Sequence, residues 1–214
     1  MKPKVTTDYK TGQATIFKNS FLEKLTKTNP IQNIIFYSTT IILLIYFAYV
    51  KIGLSALQIS LLFVFGIAFW TLAEYILHRY VFHWVNESKW SQRFHFIMHG
   101  SHHEFPLDEE RLLMPPVPGF ILASILFVGF FIIFWILGIS DLTYGFFPGF
   151  FCGYLMYSFV HRTTHVIKRP PKRLKNLWHH HSLHHYKYPN KAFGVSNTFW
   201  DKVFGTMPPK KIKH

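Results

Sequence analysis

LSALQISLLFVFGIAFWTLAEYILHRYVFH, residues Leu54–His83, joins the two features that decide the fold. Leu54–Leu77 holds a single charged residue, Glu74, and exceeds the roughly 20 residues that a helix needs to cross a bilayer. The run then ends on His78 and His83. An apolar segment that delivers imidazoles at its end points to chemistry at a membrane boundary rather than to packing.

Working outward, three more stretches have the same apolar character. Ile34–Val50 is uncharged, Leu112–Ser140 is uncharged, and Leu142–Val160 is uncharged after Asp141. The expected architecture is all-α and integral to the membrane. Four spans, about 34–50, 54–77, 117–139 and 142–160, form two hairpins beneath a helical cap that carries the histidines. A soluble four-helix bundle would need polar faces at a 3.6-residue period, and the central segments show none. Residues 34–214 are read as one domain, after a basic N-terminal segment of residues 1–33. In that segment Phe17, Phe21, Leu22 and Leu25 suggest a short interfacial helix ended by Asn29-Pro30. It has no signal-peptide core or cleavage site, so the first span is expected to direct insertion.

Hydrophobic residues make up 50% of the 214, yet the formal charge is +13. Six lysines precede the first span, four Lys/Arg lie between Leu77 and Val117, and twelve follow Val160, leaving only Lys51 for the other face. The positive-inside rule places both termini, the central loop and every histidine cluster in the cytosol. That means the endoplasmic reticulum membrane in a eukaryote or the inner membrane in a bacterium. The basic run Ile167–Lys175 lacks any nucleic-acid fold signature. It suits anionic headgroups or an acidic redox protein, and no nucleic-acid partner is expected. The single cysteine, Cys152, excludes an intramolecular disulfide and a sulfur-rich metal site.

Within the fourth stretch Gly145, Gly149 and Gly153 repeat every four residues, a smooth ridge on which another helix can settle. Pro148 is expected to kink that helix or confine its regular part to the C-terminal side. Trp84, Trp90, Trp178 and Trp200 suit an interfacial belt. Phe193–Pro208 reads as a packed irregular tail.

Ten of the fourteen histidines form four clusters: His78/His83, His99/His102/His103, His161/His165 and His181/His184/His185. A helix turns about 100° per residue, so His161 and His165 share a face, and each triplet brackets one face. His78 and His83, five apart, diverge by roughly 140° on a continuous α-helix and are expected to serve two different ions. Ten imidazoles exceed the coordination of one metal; two ions with about five nitrogens each leave positions for oxygen or water. His95, His179, His180 and His214 fall outside this register and are read as supporting, substituting or surface residues. No His-Glu-x-x-His motif supplies a zinc hydrolase with its base, although Glu104 beside His103 keeps that alternative open. Glu74, four residues before His78, is expected to accept a hydrogen bond from an imidazole and fix its tautomer.

These residues resemble the fatty acid hydroxylase and sterol desaturase superfamily, and most closely its sphingolipid fatty acid 2-hydroxylases. Glu74–His83 resembles their first histidine box. Phe96–His103 with Pro106, Asp108 and Arg111–Pro116 is similar to the second box and its sequel. His181–Lys187, Phe193–Ser196 and Trp200–Thr206 resemble the C-terminal signature. The pattern departs at Tyr157-Ser158 and at Arg162, where many relatives have Tyr-Asp and Tyr. The resemblance implies an O2-dependent monooxygenase that hydroxylates C2 of a fatty acyl chain, free or in ceramide, at a histidine-ligated di-iron centre. The same nitrogen donors accept zinc in a purified sample. It also implies a chain without a cytochrome b5 domain, so that electrons come from a separate donor such as cytochrome b5 or ferredoxin. Family matching assigns His78, His99, His102, His181 and His184 to one metal and His83, His103, His161, His165 and His185 to the other. The alternatives are a related lipid oxygenase (sterol desaturase, methyl sterol oxidase or carotenoid hydroxylase) and, further off, a non-catalytic metal-binding membrane protein. The Arg111–Pro116 stretch favours the acyl hydroxylase.

Overall fold

The computed structural model describes residues 9–209; residues 1–8 of the basic N-terminal segment, and His214, lie outside them. Among the described residues all regular structure is helical. In chain order the α-helices are α1 (Ser20–Lys24), α2 (Pro30–Val50), α3 (Ala56–Ile76), α4 (Lys89–His95), α5 (Ser101–Glu104), α6 (Pro116–Ile136), α7 (Thr143–Val166), α8 (Lys175–Tyr186) and α9 (Phe199–Val203). Two π-helical turns, Leu77–Phe82 and Phe96–Gly100, continue α3 and α4 without a break. The chain divides into two compact units, one of Asn19–Thr71 with Leu113–Ser158, the other of residues up to Lys18 with Leu72–Leu112 and Phe159 onward.

The first unit holds the apolar helices. Asn29 caps α2 by accepting from the Gln32 amide at 2.9 Å, with Pro30 in the first turn, where its missing N–H costs nothing. Asn29-Pro30 therefore begins the first long helix rather than ending the short one before it. That short helix, α1, has only five residues and leaves Phe21 and Leu22 exposed. Three segments are long and apolar enough to cross a membrane: Pro30–Val50, Ala56–Phe82 and Glu109–Ile136. Their side chains point mostly outward, as Ile42, Val64 and Ile125 show at 63–65% exposure. Apolar surface on that scale is unfavourable in water and favourable in lipid, so the chain is a membrane protein.

The fourth expected span, α7, has the length but not the hydropathy. Its composition suits an inner position. Phe146, Phe147, Phe150 and Phe151 are buried, and the glycine ridge lies against α3. A Cβ on Gly149 would stand 2.0 Å from the Phe63 carbonyl oxygen, and one on Gly153 2.5 Å from Trp70 Cβ. Pro148 does not confine the helix, which runs unbroken from Thr143.

The second unit is built from short helices and extended chain. Tyr9–Lys18 forms a strap with little regular structure: Arg93 donates to the Ile16 carbonyl, and the Ala14 amide donates to Asp108 Oδ2 at 3.0 Å. Trp178 is buried and donates to the Ile167 carbonyl at 3.2 Å, so it does not belong to an exposed interfacial belt.

Candidate metal centre

All ten singled-out histidines lie in the second unit, in two groups of five. His78, His83, His99, His103 and His184 form the first, and His102, His161, His165, His181 and His185 the second. In each group every residue offers one nitrogen, and these nitrogens all lie within 4.8 Å of one another. The groups are neighbours: the His103 and His185 rings stack at 4.3 Å, and the His99 and His102 centroids stand 5.2 Å apart.

This grouping corrects three expectations. His78 and His83 join the same group because the chain between them is π-helical, with the His83 amide donating to the His78 carbonyl at 3.1 Å. That five-residue hydrogen bond widens the turn and stacks residues five apart, leaving ring centroids 5.0 Å apart. Each triplet divides instead of serving one face. His99 and His103 stay together, as do His181 and His185, each pair four apart. His102 and His184 turn to the opposite group, because neighbours on a helix diverge by about 100°. The partition implied by family matching fails for the same reason, since it kept His102 with His99 and His184 with His181.

Three Nδ1 atoms are fixed by backbone carbonyls: His78 by Phe193 at 2.5 Å, His184 by Lys191 at 2.7 Å and His161 by Leu112 at 3.2 Å. A carbonyl only accepts, so these Nδ1 atoms carry the proton and the Nε2 atoms keep their lone pairs. Those Nε2 atoms face others closely, His78 to His99 and His161 to His102 at 2.9 Å, and His184 to His83 at 3.0 Å. Burial first, and then neighbouring imidazoles, hold His83, His99, His102, His103, His181, His184 and His185 well below the ordinary imidazole range. They are therefore neutral donors. His185 has no hydrogen-bond partner on either ring nitrogen, although both are buried. Converging lone pairs and orphaned buried nitrogens are costly alone and are resolved by cations, so the residues fit two metal ions.

Glu74 is fully buried but accepts no hydrogen bond from an imidazole. It accepts from the Val195 and Ser196 amides at 2.7 and 2.9 Å and from the Ser196 hydroxyl. Glu104 is paired with Lys10 of the N-terminal strap rather than placed as a hydrolytic base. Outside the two groups, His95 Nδ1 donates to the Phe82 carbonyl at 2.6 Å, His179 is exposed, and His180 is buried against Asp201 Oδ2 at 2.9 Å. Arg162 pairs with Glu109 at 2.8 Å.

Sequence reasoning missed the carbonyls of Leu112, Lys191 and Phe193, and the anchoring of the last of these through Asp201. The signal for Asp201 was its being the lone acid of residues 193–208. Burial raises an acid such as Asp201, but hydrogen bonds from His180, Thr206 and Gly194 outweigh it and hold the carboxyl below the usual carboxylate range. The buried Asp108–Arg111 pair, 2.7 Å, directly precedes Leu112 in the chain.

A family model described as fatty acid hydroxylase matches residues 63–206. The chain is 36% identical over 156 residues to dihydroceramide fatty acyl 2-hydroxylase FAH2 of Arabidopsis thaliana, covering 73% of this chain and 64% of that one. It is 37% identical over 220 residues to ceramide very long chain fatty acid hydroxylase SCS7 of Saccharomyces cerevisiae, covering 96% of this chain and 54% of that one. The chain thus spans a little over half to just under two thirds of these curated relatives. A solved structure titled full-length Scs7p, with only the hydroxylase domain visible, superposes with a TM-score of 0.80 at 35% identity, covering 92% of this chain and 73% of that one. With its residue match extending across both histidine groups, the chain belongs to the fatty acid hydroxylase family.

Proposed function

We propose that the protein is a membrane monooxygenase that hydroxylates C2 of a fatty acyl chain, free or in a ceramide. The observation that carries this reading is the pair of adjacent all-imidazole groups in a chain whose relatives include proteins named as fatty acyl and fatty acid 2-hydroxylases. The ten histidines hold two metal ions, five each, and iron suits both the imidazole donors and the O2 redox chemistry that attacks an unactivated C–H bond. Overall, RH, O2, two electrons and two protons give ROH and water, so a reductant is required. A separate electron-transfer protein supplies it, and the exposed basic run Ile167–Lys175 suits an acidic donor.

The residues of the chain then have three tasks. The carbonyls of Phe193, Lys191 and Leu112 fix the tautomers of His78, His184 and His161, so that their Nε2 atoms are aimed before any ion arrives. Burial keeps the imidazoles unprotonated, which lets them bind cations without first releasing protons. The apolar helices hold the protein where its acyl substrate dissolves. Four spans are part of this reading: α7 crosses as the inner helix, with low hydropathy because its glycine and aromatic face meets protein instead of lipid. The 22-to-1 distribution of Lys and Arg about the spans supports a cytosolic face for the histidines.

The test is to supply membranes containing the full chain with reduced iron, an electron donor, 18O2 and a mixture of fatty acids and ceramides. Mass spectrometry should find one 18O in a hydroxyl at C2. A hydroxyl elsewhere, a new double bond, or turnover without O2 would overturn the reading.

A further inference from the structure

The first histidine group depends on a short irregular strand, Lys191–Ser196. Two of its carbonyls, from Lys191 and Phe193, accept from His184 and His78, while the residue between them, Ala192, has φ +60°. A left-handed alanine is strained and persists only where surrounding contacts over-determine it. Those contacts converge on Asp201. Its Oδ1 accepts from the Phe193 amide at 2.9 Å and the Thr206 hydroxyl at 2.7 Å, and its Oδ2 accepts from the Gly194 amide at 2.8 Å and lies 2.9 Å from His180 Nε2. Asp201 is 0% exposed. Gly194 lets the carboxylate approach: a Cβ there would lie 2.9 Å from Asp201 Oδ2 and 2.0 Å from the Asn197 carbonyl oxygen. The Ala192 amide completes the frame by donating to the Thr206 carbonyl at 2.9 Å.

We infer that Asp201 is a positioning residue for the first histidine group alone: its carboxylate fixes the strand whose Phe193 and Lys191 carbonyls orient His78 and His184. Asp201 touches neither histidine. It acts through the backbone of Phe193 and Gly194; towards α8 it meets only the side chain of His180 among the described residues, and the carbonyl support of the second group comes from Leu112. An asparagine cannot replace it. Both carboxylate oxygens accept from backbone amides, and an amide nitrogen at either position would face an N–H donor.

This inference rests on the reading that each group holds one metal ion. The full chain is loaded with cobalt(II), and its visible absorption is followed while EDTA removes the metal. In wild type, two ions leave slowly. In D201N, one ion should leave about 10- to 100-fold faster, the range seen when support behind a ligating histidine is lost, while the other keeps its wild-type rate and spectrum. H180F, which removes one donor and leaves both backbone amides bound to the carboxylate, should give a smaller acceleration of the same single phase. It carries the test if D201N does not fold. Two slow ions in both variants, or equal acceleration of both ions, overturns the inference and leaves the metal reading intact. A wild-type chain that binds no cobalt overturns the metal reading and the inference with it.

Discussion

The two histidine groups have equal numbers of imidazoles and reach that number by different means. The second takes two i,i+4 pairs from regular helices, His161/His165 on α7 and His181/His185 on α8, and adds His102. The first takes His78 and His83 from a π-helical turn, His99 from another, His103 from the short helix after it, and His184 from α8. Its supports are also more distant in sequence, with Glu74 and Asp201 both gripping residues 193–196. Ordinary helix geometry suffices for one group, whereas the other needs an irregular strand and two buried carboxylates. The first should therefore be the more sensitive to changes outside its ligands.

The largest effect tests whether the groups are both needed. His103→Ala in the first and His181→Ala in the second should each abolish hydroxylation while leaving membrane insertion intact; turnover retained by either variant removes that histidine from the machinery. Next comes the Asp108–Arg111 pair that precedes Leu112. Arg111→Met leaves Asp108 buried without its ion-pair partner, and breaking such a pair costs about 3–5 kcal/mol, read as a lower denaturation midpoint in detergent. A midpoint within error of wild type would mean that this pair does not hold the Leu112 segment. Gly149→Ala lies in the other unit and should cost about 1–3 kcal/mol through overpacking against Phe63, with both ions retained. Loss of a metal ion from that variant would show that the groups are not independent of the apolar helices. The smallest change is Ala192→Gly, which relieves the left-handed strain but loosens the unfolded chain. Stability should stay within about 1 kcal/mol and both ions should remain.

The same contrast explains what could be read from the sequence. Apolar runs located α2, α3 and α6 to within a few residues, because lipid imposes a length and an exclusion of charge that composition records directly. The His161/His165 pair of the second group was visible because α-helical spacing holds there. His78 and His83 were assigned apart because a π turn has no compositional mark and changes which residues share a face. The triplets were misread because spacing limits a face only to about 100°, too coarse to decide which of two adjacent sites a ring enters. Asp201 and the carbonyls of Lys191 and Phe193 were out of reach for a different cause. Their role comes from a backbone path fixed by tertiary contacts, and Ala192 does not advertise a left-handed residue as a glycine would.

The central claim is that each five-histidine group holds one metal ion. Quantifying metal per purified chain by mass spectrometry tests it directly, in wild type and in two variants that each remove one ligand, His99→Ala and His165→Ala. Two ions in wild type and one in each variant is the predicted result. One ion or none in wild type, or two ions retained in either variant, would contradict it.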